Sequence, residues 1–164
     1  MTQLIIMRHS KAVDRLEAED DYERGLTERG REDARRAGAA MAGAGLQATH
    51  ALVSPSRRTR ETFNQVRNEL GDPPVTDPMA LYHASMEMLE RATLELMEAN
   101  AQSIVIVGHN PGVGGLAHKF AAQLEITSKL PAGWPTSSVG AFQISAHEGE
   151  LRALDVDFLF DPRA

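Results

Sequence analysis

Three short apolar runs, each followed at once by basic or histidine side chains, constrain the fold of this chain most strongly. Leu4 to Met7 runs into Arg8-His9, and Ile104 to Val107 runs into Gly108-His109. Between them, the run that ends at Val53 gives way to a Ser-Pro pair and an arginine cluster. Short apolar runs of this kind are typical of parallel strands buried on both faces. Because parallel strands deliver their carboxyl ends to one crevice of an open α/β sheet, we expect the three polar segments to meet in one site.

Helix-start signals alternate with these strands. Thr27 predicts the cap of a helix over residues 28 to 43, and Ser85 predicts the cap of a helix that carries methionine and leucine at helical spacing. Ser54-Pro55 and Asn110-Pro111 each place a proline at the favoured first helical position. They predict helices that end near residues 70 and 124. Alternating strands and helices predict a sheet covered by helices on both faces.

The remaining segments complete the predicted architecture. Residues 12 to 25 are dense in acidic side chains without an apolar period, which predicts a solvated loop. Residues 75 to 82 predict a brief extended piece, and residues 139 to 145 and 151 to 158 predict an antiparallel edge hairpin. We therefore expect a single α/β domain over residues 1 to 164. It is a three-layer α/β/α sandwich with a mainly parallel central sheet and a C-terminal antiparallel edge hairpin.

Composition excludes several classes of function. The chain has no cysteine, so disulfides, thiolate nucleophiles and cysteine metal sites are excluded. Its apolar runs are too short for a signal-peptide core or a membrane span, so we expect a cytoplasmic protein without a membrane partner. The net charge of -6 argues against nucleic acid as a partner. An anionic partner must therefore be small or locally recognised.

His9 is the candidate nucleophile. A neutral imidazole can attack phosphorus and form a phosphohistidine that water later cleaves, which splits one difficult step into two. One ring nitrogen must then be free, while the other carries the proton and donates it to a fixed acceptor, which we expect to be a nearby backbone carbonyl. Arg8, Arg58 and His109 would surround the transferring phosphoryl group and stabilise its charge. These four residues form the predicted catalytic set.

Some of the other basic and polar residues are consistent with either a functional or a purely structural role. Arg57 and Arg60 fit a solvated helix face as well as a phosphate pocket. Asn110 and the amides of the helix that follows it could contribute to phosphate binding, or could serve the helix start alone. The four remaining histidines have no metal-ligand spacing, so we expect neither a metal site nor a cofactor. These histidines are His50, His83, His118 and His147.

Several motifs resemble those of the histidine phosphatase superfamily, also called the phosphoglycerate mutase-like superfamily. Arg8-His9 is similar to its signature Arg-His pair, and Gly108-His109 is similar to its second histidine. Ser54-Pro55 with Arg58 and Thr62 resembles its Ser-Pro-x-x-Arg-x-x-x-Thr segment. Two further matches are Leu26-Thr27 with Gly30 and Pro135-Thr136. The short length and the run from Arg8 to Ala12 most resemble the SixA-type branch.

The resemblance implies a three-layer fold, metal-independent chemistry, His9 as nucleophile, and a phosphate pocket of Arg8, Arg58 and His109. Two positions depart from the family pattern, since Gly25 stands where proline is usual and Glu61 stands where glutamine is usual. Family members that act on phosphate esters generally carry a carboxylic acid that protonates the leaving oxygen. Glu87 lies in the corresponding region and is a possible proton donor. Alternatively, Glu87 is an exposed carboxylate that stabilises a helix start.

These observations lead to one principal functional hypothesis with alternatives. We expect a phosphatase that removes phosphate from phosphohistidine on a signalling protein, such as a histidine phosphotransfer domain. An imidazole that leaves a P–N bond needs less acid catalysis than an alkoxide, which suits a chain without a clear proton donor. The alternatives are a phosphomonoesterase for a small phosphorylated metabolite, a noncatalytic module that recognises phosphate, and a metal-dependent hydrolase.

Overall fold

A six-stranded mixed sheet forms the centre of the molecule. The computed structural model describes residues 1–164, and the strand order is β3-β2-β4-β1-β5-β6. The first four of these strands are parallel, while β5 pairs antiparallel with both β1 and β6. The strands are β1 (Thr2–Arg8), β2 (His50–Val53), β3 (Val75–Thr76), β4 (Ser103–Gly108), β5 (Val139–His147) and β6 (Glu150–Phe160). The mainly parallel sheet with a C-terminal antiparallel hairpin confirms the predicted fold class.

Four helices cover the two faces of the sheet. They are α1 (Glu28–Gly43), α2 (Arg57–Val66), α3 (Met86–Glu98) and α4 (Gly112–Gln123). Helices α1 and α2 contribute to one apolar cluster, and α3 and α4 contribute to a second one. Three single turns of 3-10 helix lie in the connections, at Arg15–Glu17, Met79–Leu81 and Thr127–Lys129. No helix is long and apolar enough to cross a lipid bilayer.

The alternation of side chains along β1 explains why its apolar run is continuous. Leu4 and Ile6 belong to the cluster under α3 and α4, whereas Ile5 and Met7 belong to the cluster under α1 and α2. All four side chains are fully buried. Successive side chains of a strand point to opposite faces, so a central strand between two helical layers must be apolar at every position. Burial on both faces fixes β1, and therefore the residues that follow it, at the centre of the sheet.

Two predicted helix caps are confirmed, and the predicted bounds of α2 are wrong. The Thr27 hydroxyl accepts from the Gly30 amide, and the Ser85 hydroxyl accepts from the Met88 amide. Helix α2 begins at Arg57, two residues after the predicted proline, and ends at Val66 instead of near residue 70. The reason is that the hydroxyl of Ser54, the predicted cap, bonds to a histidine of another segment. Residues 54 to 56 therefore lie between β2 and α2 and are not part of the helix.

The hairpin is longer than its composition indicates. Strands β5 and β6 extend to His147 and Glu150, which leaves Glu148-Gly149 as a two-residue turn. Both turn residues have positive φ, at 50° and 78°. Positive φ at both central positions is the geometry that matches the twist of the flanking strands.

Candidate active site

The carboxyl ends of β1, β2 and β4 meet at one edge of the sheet. Arg8 is in register with Gly108, and Val53 is in register with Val107. The ring centroids of His9 and His109, which follow β1 and β4, lie 5.4 Å apart. A cleft of about 430 Å³ opens above them. The structure therefore brings together the three segments that sequence analysis placed at one site.

Positive charge dominates the cleft. Four cationic side chains line it, against one carboxylate, that of Asp21. The cations are Arg8, Lys11, Arg24 and Arg58. A protein of net charge -6 that gathers cations in one concave site has a local field that favours anions. The cleft is therefore suited to a phosphoryl group.

The tautomer of His9 is set by a hydrogen bond to its neighbour. The Nδ1 atom of His9 lies 2.7 Å from the carbonyl oxygen of Ser10, so Nδ1 carries the proton and donates it. The Nε2 atom then keeps its lone pair. Ser10 is itself held, because its amide donates to the Thr62 hydroxyl at 2.9 Å and its hydroxyl shares a 2.6 Å hydrogen bond with Ser137. The acceptor that orients His9 is thus fixed by the fold.

Burial keeps His9 uncharged. Only 8% of the residue is exposed. Desolvation and, to a smaller extent, the charges of Arg58 and Arg8 outweigh the opposing hydrogen bond to Ser10 and together lower the pKa of His9 to about 3. A histidine with this pKa is neutral at physiological pH, which is the state that can act as a nucleophile.

Arg58 is the most constrained cation of the cleft. It lies in the first turn of α2 and is 2% exposed. Its Nη1 donates to the Asp21 carbonyl at 2.7 Å, and its Nη2 lies 3.1 Å from Asp21 Oδ2 and 3.2 Å from His109 Nδ1. A guanidinium has no acceptor, so His109 Nδ1 must accept this hydrogen bond. The planar fork is therefore held in one orientation.

This contact also fixes the tautomer of His109. Because Nδ1 accepts from Arg58, the proton lies on Nε2, which donates to the Ser54 hydroxyl at 2.7 Å. Desolvation, together with smaller effects of His9, Arg58 and His83, outweighs the opposing charge of Asp21 and lowers the pKa of His109 to about 2. Both ring nitrogens are engaged, so a hydrogen bond from His109 to a bound phosphoryl group requires one of these contacts to be exchanged.

Arg8 and Asn110 share one acceptor at the other wall of the cleft. Arg8 Nη1 donates to the carbonyl of Trp134 at 3.1 Å, and Asn110 Nδ2 donates to the same oxygen at 3.0 Å. The Asn110 Oδ1 accepts from the Gly114 amide at 3.1 Å, in the first turn of α4. Pro111 occupies the position before that helix, so the predicted start is one residue early. Asn110 thus lines the cleft and holds the helix start at the same time.

Asp21 is the main residue of the cleft that sequence analysis did not find. The loop of residues 12 to 25 was predicted to be solvated, and this prediction is wrong for Asp21 and Arg24, which turn into the cleft. Asp21 Oδ2 accepts from Arg58, from the Tyr82 hydroxyl and from His83 Nε2, and Oδ1 accepts from Arg24 at 3.0 Å. Burial acts to raise the pKa of this carboxyl, but these hydrogen bonds outweigh it and hold the pKa well below its usual range. Asp21 is therefore ionised.

Comparison with known proteins agrees with this geometry. A sequence model of the histidine phosphatase superfamily (branch 1) matches residues 4–82, which include Arg8, His9 and Arg58. The N-terminal half of the chain is therefore similar to the histidine phosphatase superfamily. A search of curated protein sequences finds no significant match.

Solved structures extend the similarity over nearly the whole chain. A structure from Agrobacterium tumefaciens, assigned as a phosphohistidine phosphatase SixA, is 25% identical with a TM-score of 0.75, and the match covers 94% of this chain and 96% of the other. The protein histidine phosphatase SixA complexed with tungstate is 22% identical with a TM-score of 0.77, over 99% and 98% of the two chains. A mycobacterial glucosyl-3-phosphoglycerate phosphatase bound to VO3 is 17% identical with a TM-score of 0.65, over 96% and 98%. The last two share the fold.

Glu87 lies outside the cleft. It is exposed in the first turn of α3 and lines a separate depression with Glu90 and Arg91. The geometry therefore gives no support to Glu87 as a proton donor, and its position fits the reading as a carboxylate at a helix start. No group of three or more histidine, aspartate and glutamate side chains is arranged to hold a metal ion.

Three further residues of α2 lie outside the cleft, either at the surface or in contacts that hold the helix in place. The exposed Arg57 pairs with Glu61 at 3.0 Å, as expected of a solvated helix face. Arg60 donates to the Pro55 carbonyl at 2.8 Å and does not line the cleft. Glu61, which departs from the family pattern, accepts from the Leu26 amide at 2.8 Å. It ties α2 to the segment before α1.

Proposed function

We propose that this phosphatase removes phosphate from phosphohistidine on a signalling protein, through a covalent intermediate on His9 and without a metal ion. The observation that carries the proposal is the locked tautomer of His9, whose Nδ1 donates to Ser10 at 2.7 Å and leaves Nε2 with a lone pair. This nucleophile lies in a cleft with an excess of positive charge. Neutral imidazole and fixed guanidinium groups are the components that phosphoryl transfer needs.

The reaction has two displacements at phosphorus. In the first, His9 Nε2 attacks, the bond from phosphorus to the leaving nitrogen breaks, and that nitrogen takes up a proton. In the second, water attacks the phosphorus of the phosphorylated His9 and loses a proton. The bond from phosphorus to Nε2 breaks, its electron pair returns to Nε2, and phosphate leaves. Arg8 and Arg58 stabilise the charge on the equatorial oxygens in both steps. His109 orients Arg58, and Asn110 holds the wall to which Arg8 is bonded.

The composition of the cleft supports phosphohistidine as substrate. The one carboxylate that lines the cleft, Asp21, is ionised and bonded to four side chains, so it is a poor acid. A leaving imidazole needs less protonation than a leaving alkoxide. The SixA proteins that share this fold are described as acting on phosphohistidine or on protein histidine phosphate. A protein partner such as a histidine phosphotransfer domain, and a cytoplasmic location, remain part of this proposal.

Steady-state kinetics on a substrate panel test the proposal. We expect kcat/KM for a phosphorylated histidine phosphotransfer domain to exceed that for sugar phosphates and nucleotides by about 100-fold or more, and His9→Ala to abolish turnover. His147→Ala, at an exposed histidine of the hairpin, serves as the control variant. Higher kcat/KM for a small ester would favour a phosphomonoesterase. Tight phosphate binding without turnover of any substrate would instead indicate a phosphate-recognition module.

A further inference from the structure

We propose that His83, positioned by Asp21, is the residue of this cleft that gives a proton to the leaving group and takes one from the attacking water. The inference rests on the proposed covalent mechanism at His9 and adds the acid and base that the mechanism still lacks. It assigns a catalytic role to His83 and a positioning role to Asp21.

The fold places His83 at the cleft in an uncommon backbone conformation. The residue follows the 3-10 turn Met79–Leu81 and has a φ of 55°, in the left-handed region that few residues other than glycine, asparagine, aspartate and histidine adopt. Its side chain lines the same cleft as His9, and its ring centroid lies 4.5 Å from that of His109. The side chain is 51% exposed, unlike the buried His9 and His109. His83 can therefore contact both a substrate and solvent.

The hydrogen bond to Asp21 divides the roles of the two ring nitrogens. His83 Nε2 lies 3.2 Å from Asp21 Oδ2, and an ionised carboxylate only accepts, so Nε2 carries a proton in either charge state of the ring. The Nδ1 atom has no hydrogen-bond partner in the protein. Proton exchange with a substrate therefore occurs at Nδ1, while Asp21 holds the other end of the ring.

Charged groups on every neighbouring segment act on this ring. Asp21 and Arg24 face it from the loop before α1, Arg58 from α2, His109 from the segment after β4, and Tyr82 from its own segment. Asp21 thus places a negative charge near the ring, and Arg24 and Arg58 place positive charges in the same cleft. His9 and His109 are buried and neutral, whereas the His83 side chain is about half exposed. His83 is therefore the histidine of the cleft that can exchange a proton with solvent.

The proton balance closes over one turnover. As His9 Nε2 bonds to phosphorus, the leaving atom takes the proton of His83 Nδ1, and the imidazolium becomes neutral imidazole. As water then attacks the phosphorylated His9, Nδ1 takes a proton from that water. The bond from phosphorus to His9 breaks, phosphate leaves, and His83 is again protonated. No group outside the cleft and its substrates is needed.

The alternative is that His83 only fixes Asp21 against Arg58. A structural role of that kind would lower the rate equally for every substrate. A proton donor instead matters in proportion to the basicity of the leaving group. The dependence on the leaving group therefore separates the two roles.

The test compares two aryl phosphates with the His83→Asn variant, since asparagine tolerates the left-handed backbone. We expect the variant to lower kcat/KM by about 100-fold or more for phenyl phosphate, whose leaving phenoxide is strongly basic. For 4-nitrophenyl phosphate, whose leaving group needs little protonation, we expect a loss of about 5-fold or less. The basic limb of the wild-type pH profile on phenyl phosphate should also disappear in the variant. His147→Asn, at the exposed hairpin, is the matched control.

Two other results are distinguishable. Equal losses on both aryl phosphates, or an unchanged basic limb, would overturn the role of His83 while leaving His9 as the nucleophile. Wild-type protein that forms no adduct on His9 from either aryl phosphate or from a phosphorylated histidine phosphotransfer domain would overturn the proposed covalent mechanism, and this inference with it.

Discussion

Asp21 and Arg58 form an ion pair inside the cleft, with Oδ2 of the carboxylate 3.1 Å from Nη2 of the guanidinium. The arginine that we assign to phosphate binding thus already holds an anion. Asp21 also reaches Arg58 through its main-chain carbonyl, at 2.7 Å. The carboxylate has two opposing effects, since it orients the guanidinium and competes with a phosphate for it.

Removal of the Asp21 charge should strengthen anion binding. We expect Asp21→Asn to lower the Kd of inorganic phosphate by about 3- to 10-fold at low salt, because the effect of one partly exposed charge is about 1 kcal/mol. Isothermal titration calorimetry measures the change, and Asp14→Asn, in the exposed part of the same loop, is the control. Weaker phosphate binding in Asp21→Asn would show that orientation of Arg58 outweighs competition.

The hydrogen bond between Ser54 and His109 should affect both stability and turnover. Ser54→Ala leaves the buried Nε2 proton of His109 without an acceptor, so we expect the free energy of unfolding to fall by about 1–3 kcal/mol. We also expect kcat to fall by about 10-fold, because His109 then no longer presents a fixed Nδ1 to Arg58.

Urea unfolding and steady-state kinetics measure the two effects of Ser54→Ala. Ser56→Ala is a suitable comparison, since this buried serine bonds to Thr59 and does not contact His109. A loss of stability in both variants with loss of kcat only in Ser54→Ala supports the assigned role. Equal kcat values in the two variants would contradict it.

The two buried histidines should make stability depend on pH. The pKa of His9 is lowered to about 3 and that of His109 to about 2, whereas histidine in the unfolded chain titrates near 6.5. The unfolded state therefore binds more protons below pH 6.5. The contribution of each neutral histidine to the free energy of unfolding is fully present above this pH. On acidification it falls by about 1.4 kcal/mol per pH unit, down to the folded-state pKa.

Urea unfolding between pH 7.5 and pH 5 measures this dependence. His9→Gln removes one titrating group, so we expect the slope of unfolding free energy against pH to become shallower by about 1.4 kcal/mol per unit well below pH 6.5. The exposed His147 provides the control variant, His147→Gln, which should keep the wild-type slope. A His9→Gln slope equal to the wild-type slope would show that His9 is protonated in the folded protein.

Phosphatase activity should be independent of metal ions. The guanidinium groups of Arg8 and Arg58 supply the positive charge that a metal ion supplies in other phosphoryl-transfer sites. We therefore expect full kcat after exhaustive treatment with EDTA. Loss of activity with the chelator, followed by recovery on addition of a divalent metal, would favour the metal-dependent hydrolase that sequence analysis left as an alternative.

Local patterns predicted those parts of the molecule that local patterns determine. The apolar runs of β1 and β4 and the caps at Thr27 and Ser85 follow from burial and from hydrogen bonds within a few residues. The meeting of His9 and His109 follows from parallel strand order. The sequence motifs therefore predicted that Arg8, His9, Arg58 and His109 lie together, and the structure places all four at one cleft, while their catalytic roles stay a prediction.

The sequence patterns did not predict contacts between distant loops. Asp21 lies 37 residues from Arg58 and 62 from His83, and its acidic neighbourhood is the same as that of a solvated loop. The start of α2 depends on the bond from Ser54 to a histidine 55 residues away. The prediction for Glu87 depends only on its place along the chain, and the direction of α3 carries this side chain to another surface. These features depend on tertiary packing, which periodicity and capping signals do not contain.

Direct observation of phosphate on His9 tests the central claim most directly. The protein is mixed with a phosphorylated histidine phosphotransfer domain, quenched within milliseconds without acid, and mapped by mass spectrometry, with His9→Ala in parallel. We predict one phosphoryl group on His9, formed and lost at rates that match turnover, and none in His9→Ala. Continued turnover with no adduct, or an adduct on any other residue, would contradict the account.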